Sequence, residues 1–136
     1  AVLSGSDWKA MLQKMYGNSD WDDKLEGGER MQAILNCFTR MRFVDKKTAA
    51  LDFKQKEDIG SAPKHLIPWF EYSKRPMAGI PICFGHWSML GLIRRNDILA
   101  IDTGCLWGGK LTAVRFPDRK IFQEDCPCWA DPFKYK

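Results

Sequence analysis

The chain has 136 residues, 45% of them hydrophobic, which suits one compact domain burying roughly two-thirds of its unfolded surface. Its net charge is +4, from 21 Lys and Arg against 17 Asp and Glu. The charges are interspersed, which excludes a basic stripe for duplex DNA. No apolar run approaches the roughly 18 residues that a membrane span needs, and the first residues lack the basic and apolar regions of a secretory signal. The abrupt start, Ala-Val-Leu-Ser-Gly without a Met, suggests an excised or processed chain.

The first segment reads as a helix. Trp8, Met11, Leu12, Met15 and Tyr16 recur at i, i+3, i+4, i+7 and i+8, which lays one apolar stripe. Ser6 or Asp7 can cap its start and Gly17-Asn18 can end it. After the acidic Asp20-Trp21-Asp22-Asp23, a second helix is predicted over 28–41, with the stripe Met31, Ile34, Leu35, Phe38 and Met41. Phe43-Val44, a turn at 45–48 and residues 49–53 read as a hairpin. Residues 54–64 are charged and carry Gly60 and Pro63, so they read as a surface loop, with His65 beside it. Pro68-Trp69-Phe70 reads as a short packed turn.

The second half reads as β. Strands are expected at 80–84, 98–101, 111–116 and 120–123, the last two joined through Pro117-Asp118. Leu111, Ala113 and Arg115 would share one face, and Thr112, Val114 and Phe116 the other. Helices first and a mostly antiparallel meander after them give an α+β fold. Residues 124–136 show no periodicity and read as an irregular tail.

Five cysteines stand at 37, 83, 105, 126 and 128. An odd count at irregular spacing, with no secretory signal, predicts reduced thiols in a cytoplasm. Cys37 and Cys83 sit in apolar runs and read as small buried hydrophobes. Cys126-Pro127-Cys128 is the only close pair, and a zinc site usually takes four ligands, often as two spaced pairs.

Three segments could carry chemistry. His86, in Gly85-His86-Trp87, directly follows an apolar strand, and a neutral imidazole there suits a divalent cation. A buried, hydrogen-bonded histidine is the other reading. Arg40 and Arg42, in Thr39-Arg40-Met41-Arg42, fall on one face if the backbone is extended there, which suits forked binding of phosphate oxygens. Otherwise they are solvated charges complementing a helix C-terminus. Asp102-Thr103-Gly104-Cys105-Leu106-Trp107-Gly108-Gly109 puts a carboxylate after a buried strand and three glycines in a loop that must turn tightly. Its Asp-Thr-Gly triplet also occurs in aspartic proteases, whose following residues Cys105-Leu106-Trp107 do not match.

In order along the chain, Met15-Tyr16-Gly17-Asn18, Asn36-Cys37-Phe38-Thr39-Arg40-Met41-Arg42-Phe43, Pro68-Trp69-Phe70, Phe84-Gly85-His86-Trp87 and residues 100–112 resemble the C-terminal half of the symmetrical bis(5′-nucleosyl)-tetraphosphatases. These are calcineurin-like metallophosphoesterases. The resemblance covers 1–123, is weak across 45–67 and is absent from the tail. It implies a dinucleoside polyphosphate substrate, with diadenosine tetraphosphate split into two ADP. It implies two divalent cations, manganese or cobalt, and a metal-bridging hydroxide as nucleophile. By motif match, His86 is the last metal ligand, Arg40 and Arg42 contact phosphate, and Trp87, Asp102 and Trp107 line or brace the pocket.

The family's Asp-x-His, Gly-Asp and Gly-Asn-His-Asp/Glu blocks have no counterpart here. Each cation wants about four to six ligands, and this chain offers one. The expectation is a part of a hydrolase that is inactive alone. The alternative is a non-catalytic remnant that binds nucleotide or a protein partner. In the family these elements form half of a four-layer α/β/β/α arrangement, so the isolated half should expose an apolar sheet face and either self-associate or rearrange locally.

Overall fold

The computed structural model describes residues 5–56, 58–131 and 134. It is an α+β protein with two helices and short sheets that are mostly antiparallel. The chain divides into two compact units, one of Ala1–Lys56 with Ser61–Tyr72, the other of Glu57–Gly60 with Ser73–Lys136. Among the described residues, no helix is long and apolar enough to cross a membrane.

In the first unit, α1 spans Trp8–Gln13 and buries none of its residues. Asp7 occupies the N-cap position without a side-chain capping bond. The helix stops short of the expected Gly17-Asn18 because side chains elsewhere take the carbonyls of the following residues. Helix α2 spans Gly27–Arg40 and buries Ala33 and Asn36. The expected apolar stripe is displaced: Phe38 is 88% exposed, whereas Asn36 is 1% exposed. A buried Asn must be hydrogen-bonded, and its partners define the unit's first special feature, described below.

Strand β1 (Phe43–Asp45) pairs antiparallel with β2 (Leu51–Asp52) and β3 (Leu66–Pro68), in the order β2-β1-β3. The β1–β2 hairpin is the predicted one. Its turn is built on Asp45, whose carboxylate accepts from the Lys47 and Thr48 amides at 2.8 and 2.9 Å. These backbone bonds, Thr48 first, hold the Asp45 carboxyl below the ordinary aspartate range. The segment around Pro68 is more than a turn. Leu66–Pro68 is a strand, and the turn follows as a 3-10 stretch at Trp69–Glu71. Pro68 ends this edge strand at little cost. Phe43, Val44, Phe53, Leu66 and Phe70 are buried.

In the second unit, β4 (Ile82–Phe84), β5 (Ile93–Arg94) and β6 (Ile98–Ala100) form a sheet in the order β4-β6-β5. The central strand β6 is buried along its whole length, with Ile98, Leu99 and Ala100 at 0–2% exposure, as expected of a continuous apolar run covered on both faces. β5 was not anticipated, since two residues give no periodicity. β4 and β6 run parallel and β5 and β6 antiparallel. Asp97 ties this sheet to the preceding segment through Arg75 at 2.8 Å and Arg95 at 3.1 Å.

The last pair is β7 (Lys110–Arg115) with β8 (Lys120–Asp125), antiparallel in full register. Leu111, Ala113 and Arg115 lie together on an exposed face, while Thr112 is buried and Val114 half-buried. Phe116, expected to share a face with Thr112 and Val114, lies beyond the last strand residue, in the turn, and is 59% exposed. β8 continues two residues beyond its expected end, and the stretch after it is pinned by backbone bonds.

The cysteines require a correction. Cys105 and Cys126 form a disulfide, with Cα atoms 5.1 Å apart. The expectation of five reduced thiols therefore fails at this pair, and cysteine usage no longer argues for a reducing compartment. Spacing along the chain could not reveal it, because the β7–β8 register brings the two together across 21 positions. Cys83 is exposed rather than buried. Cys37 is half-buried, and burial followed by the charge of Asp20 pushes its thiol up, so it stays protonated and unreactive.

Candidate functional site

Two constellations hold the residues singled out by sequence. They lie in different units.

The first is in the second unit, where the parallel pair β4 and β6 ends. Phe84 lies opposite Ala100, and the Ile101 amide donates to the Phe84 carbonyl at 3.0 Å. Gly85-His86-Trp87 and Asp102 therefore leave the sheet side by side, at the carboxyl ends of the two strands. Open sheets commonly present ligand-binding groups at that end. A Cβ on Gly85 would stand 3.8 Å from Asp102 Cβ, so the two strand exits are in ordinary van der Waals reach.

His86 is exposed and has a φ of +71°. A left-handed backbone is uncommon for a residue with a side chain and costs roughly 1–2 kcal/mol. Such strain persists when the surroundings over-determine it, and it clusters at ligand-binding positions. The next residue supplies the anchor: Trp87 is 2% exposed. An anchored indole after a strained, outward histidine fixes where the imidazole stands. His86 is thus not the buried histidine of the competing reading.

The loop 102–109 braces this exit. Asp102 Oδ1 accepts from the Gly104 amide at 3.1 Å, closing a tight turn. Gly104 has a φ of +74°, and a Cβ there would sit 3.5 Å from Trp107 Cδ1. Trp107 Nε1 donates to Ser88 Oγ at 3.2 Å, tying the loop to the residue after Trp87. A Cβ on Gly109 would come within 2.2 Å of the Thr103 carbonyl oxygen, so glycine is obligatory there. Behind the loop, the Thr103 and Thr112 hydroxyls bond at 2.6 Å, and Gln123 Nε2 donates to Thr112 at 3.0 Å. The Cys105–Cys126 bond and the Cys126 amide on the Gly109 carbonyl, at 2.9 Å, clamp the loop to the end of β8. The amides of Trp129 and Ala130 both reach the Leu106 carbonyl at 3.1 Å.

The second constellation is in the first unit. Gln32, Asn36 and Arg40 follow one another at i, i+4 and i+8, on one face of α2. Together they grip the backbone at 14–18. Gln32 Nε2 donates to the carbonyls of Lys14 at 2.6 Å and Tyr16 at 3.1 Å. Asn36 Nδ2 donates to Met15 O at 2.6 Å. Arg40 donates to Gly17 O at 2.9 Å, Asn36 Oδ1 at 2.5 Å and Asn18 Oδ1 at 3.2 Å. Its guanidinium carbon lies 5.1 Å from the Tyr16 ring centroid and 5.2 Å from that of Phe53.

The backbone premise for the arginine pair does not hold. Arg40 is the last residue of α2, and the chain becomes extended only at Met41, so the two side chains do not alternate along one strand. Neither is a solvated surface charge: Arg40 and Arg42 are both half-buried. Gln32 and Asn36 were missed. The signal available was a polar Asn inside the apolar run 33–38, which asks for a buried partner.

Among the described residues, no group of three or more His, Cys, Asp or Glu side chains gathers where a metal could sit. The donors among the described residues therefore do not by themselves fit a two-cation centre. His86 is at most one corner of such a site, and no step through a metal is derived from it.

No family model matches the chain. It is similar to several bacterial proteins named symmetrical bis(5′-nucleosyl)-tetraphosphatase. It is 46% identical over 136 residues to the one from Janthinobacterium sp. (strain Marseille), covering 98% of this chain and 49% of that protein. The counterpart from Bordetella pertussis is 43% identical over 133 residues, covering 96% and 48%. That from Chromobacterium violaceum is 44% identical over 131 residues, covering 95% and 47%. The chain spans about half the length of the curated relatives it matches.

Proposed function

We propose that this chain is the C-terminal half of a symmetrical bis(5′-nucleosyl)-tetraphosphatase of the calcineurin-like metallophosphoesterase family, a hydrolase that splits diadenosine tetraphosphate into two ADP. The observation that carries this reading is the 46% identity across 98% of the chain to a protein of that name. The strand-end geometry of His86 supports it.

In this reading the two units belong to a four-layer α/β/β/α arrangement completed by residues outside the chain. His86 is one ligand of a centre holding two divalent cations, manganese or cobalt, whose other ligands come from those residues. Those cations polarise phosphoryl oxygens when bound. Trp87, Asp102 and Trp107 fix the position of the imidazole. Arg40 and Arg42 lend positive charge to the phosphates, Arg40 from a position fixed by its own hydrogen bonds. The exposed face of the β7–β8 hairpin, with Leu111 at 62% and Phe122 at 45% exposure, is the surface that self-association of the isolated half buries.

The 136-residue chain is inactive alone. The test is to assay ADP release from diadenosine tetraphosphate with manganese, for this chain and for a longer protein that contains it. The longer protein is expected to turn over, and its His86→Ala variant to lose activity. Turnover by the short chain would overturn the division of labour. A second reading is a non-catalytic remnant that binds nucleotide or a protein partner. It predicts that no longer protein containing the chain hydrolyses the substrate.

A further inference from the structure

Tyr16 is 74% exposed, yet the backbone that carries it is among the most firmly held in the first unit. Residues 14–18 form no regular helix, but α2 grips the carbonyls of Lys14, Met15, Tyr16 and Gly17 through Gln32, Asn36 and Arg40. Burying a polar Asn and half-burying an Arg to organise a surface loop is costly unless every group is satisfied. The product of that organisation is a phenol ring held in a fixed place, mostly open to solvent, with a guanidinium near it at 5.1 Å. The cation is itself held between Tyr16 and the buried Phe53 ring.

We infer that Tyr16 is a stacking platform for a nucleobase, with Arg40 as the positioning residue that fixes the ring. This deepens the nucleotide-hydrolase reading and rests on it for the choice of ligand class. A planar base has a π-face that stacks on an exposed aromatic ring whatever its hydrogen-bonding edge. A preorganised ring loses little freedom on binding. The guanidinium adds a cation–π contact to the ring and leaves the local charge favourable for the phosphates that a nucleotide brings.

The other ring beside an arginine in this unit makes a useful contrast. Trp21 has Arg30 at 4.6 Å, but it is only 40% exposed. Its indole is bonded to Asp23 Oδ1, and Asp20 and Asp22 stand on either side of it in sequence. Three carboxylates repel phosphate, so that ring is a poor nucleotide platform. Tyr16 has Arg40 beside its ring instead.

The test uses the 136-residue chain with ADP, adenosine and inorganic pyrophosphate as separate probes, followed through the aromatic NMR signals of Tyr16. ADP and adenosine are expected to shift these signals upfield and saturably, while pyrophosphate leaves them in place. Tyr16→Ala is expected to weaken ADP binding about tenfold, equivalent to about 1.4 kcal/mol. Tyr16→Phe is expected to keep affinity within about twofold, since stacking needs the ring and not the hydroxyl. Thermal unfolding of Tyr16→Phe should match the parent and that of Tyr16→Ala should fall only slightly, since the exposed ring contributes little beyond its contact with Arg40. ADP that leaves the Tyr16 signals unmoved, or a Tyr16→Ala chain that binds as the parent does, overturns the inference. Pyrophosphate shifting the ring as strongly as ADP also overturns it. Base stacking by this chain alongside a longer protein without hydrolase activity would sink the hydrolase reading alone. Hydrolysis at an unchanged KM in the Tyr16→Ala longer protein would sink the platform alone.

Discussion

The two units hold their special segments by different means. In the first, a helix does the holding: three polar side chains at four-residue spacing reach across to backbone carbonyls at 14–18. In the second, the loop 102–109 is held by backbone bonds, a glycine at 109 without room for a Cβ, and a disulfide. The first grip can be undone one side chain at a time. The second is a clamp with a covalent bond and a steric element, concentrated in the Cys105–Cys126 cross-link and in Gly109. Beside each stands an exposed side chain with a proposed role, Tyr16 in the first unit and His86 in the second.

The largest effect that would sharpen this contrast comes from the disulfide. Reduction, or Cys105→Ser, releases a cross-link spanning 21 positions and should cost about 3 kcal/mol on the chain-entropy account. Urea unfolding with and without reductant measures it. Hydrogen exchange should rise at 104–109 and stay unchanged at 14–18. Equal loosening in both places would break the distinction.

Asn36→Ala is the converse. It strips the donor from Met15 O and Gln32 O and the acceptor from Arg40, leaving buried polar groups unmade at a cost of about 2 kcal/mol. Limited proteolysis should then cut within 14–18 and spare 102–109. An unchanged cleavage pattern would mean that the ladder does not organise that loop.

The smallest effect is electrostatic. Asp97 is held below the ordinary aspartate range first by its hydrogen bonds from Arg95, with the charges of Arg95 and Arg75 adding to it. Asp45 is held there by the amides of Thr48 and Lys47. Groups with depressed folded values contribute fully above the unfolded value of about 3.9 and lose that contribution as the pH falls through the folded one. Both are partly open to solvent, so the stabilisation is modest. Acid unfolding should be less steep in Asp97→Asn than in the parent, and identical curves would remove the carboxylate from the account.

Much of this was legible in the sequence, for local reasons. Stripe spacing located both helices, and the turn chemistry of Asp45 and the apolar runs located the β1–β2 hairpin and strands β4, β6, β7 and β8. The strand-end position of His86 was legible because it follows an apolar run. What escaped depends on distant partners. The period of α2 was readable, but which face turns inward was set by carbonyls at 14–18 that need donors, so Phe38 points out and Asn36 in. β5 is too short to have a pattern. The Cys105–Cys126 pair exists only through strand register. The Ser88–Trp107 bond joins residues 19 positions apart that no local signal links.

The most direct measurement of the central claim is His86→Gly in a longer protein containing this chain. Glycine accepts the +71° φ without strain, so the variant should be more stable by up to about 1 kcal/mol. ADP release from diadenosine tetraphosphate should nonetheless fall by roughly 100-fold or more, as for loss of a metal ligand. A variant that gains stability and keeps its activity would contradict the account, because the strained histidine would then hold nothing that the reaction needs.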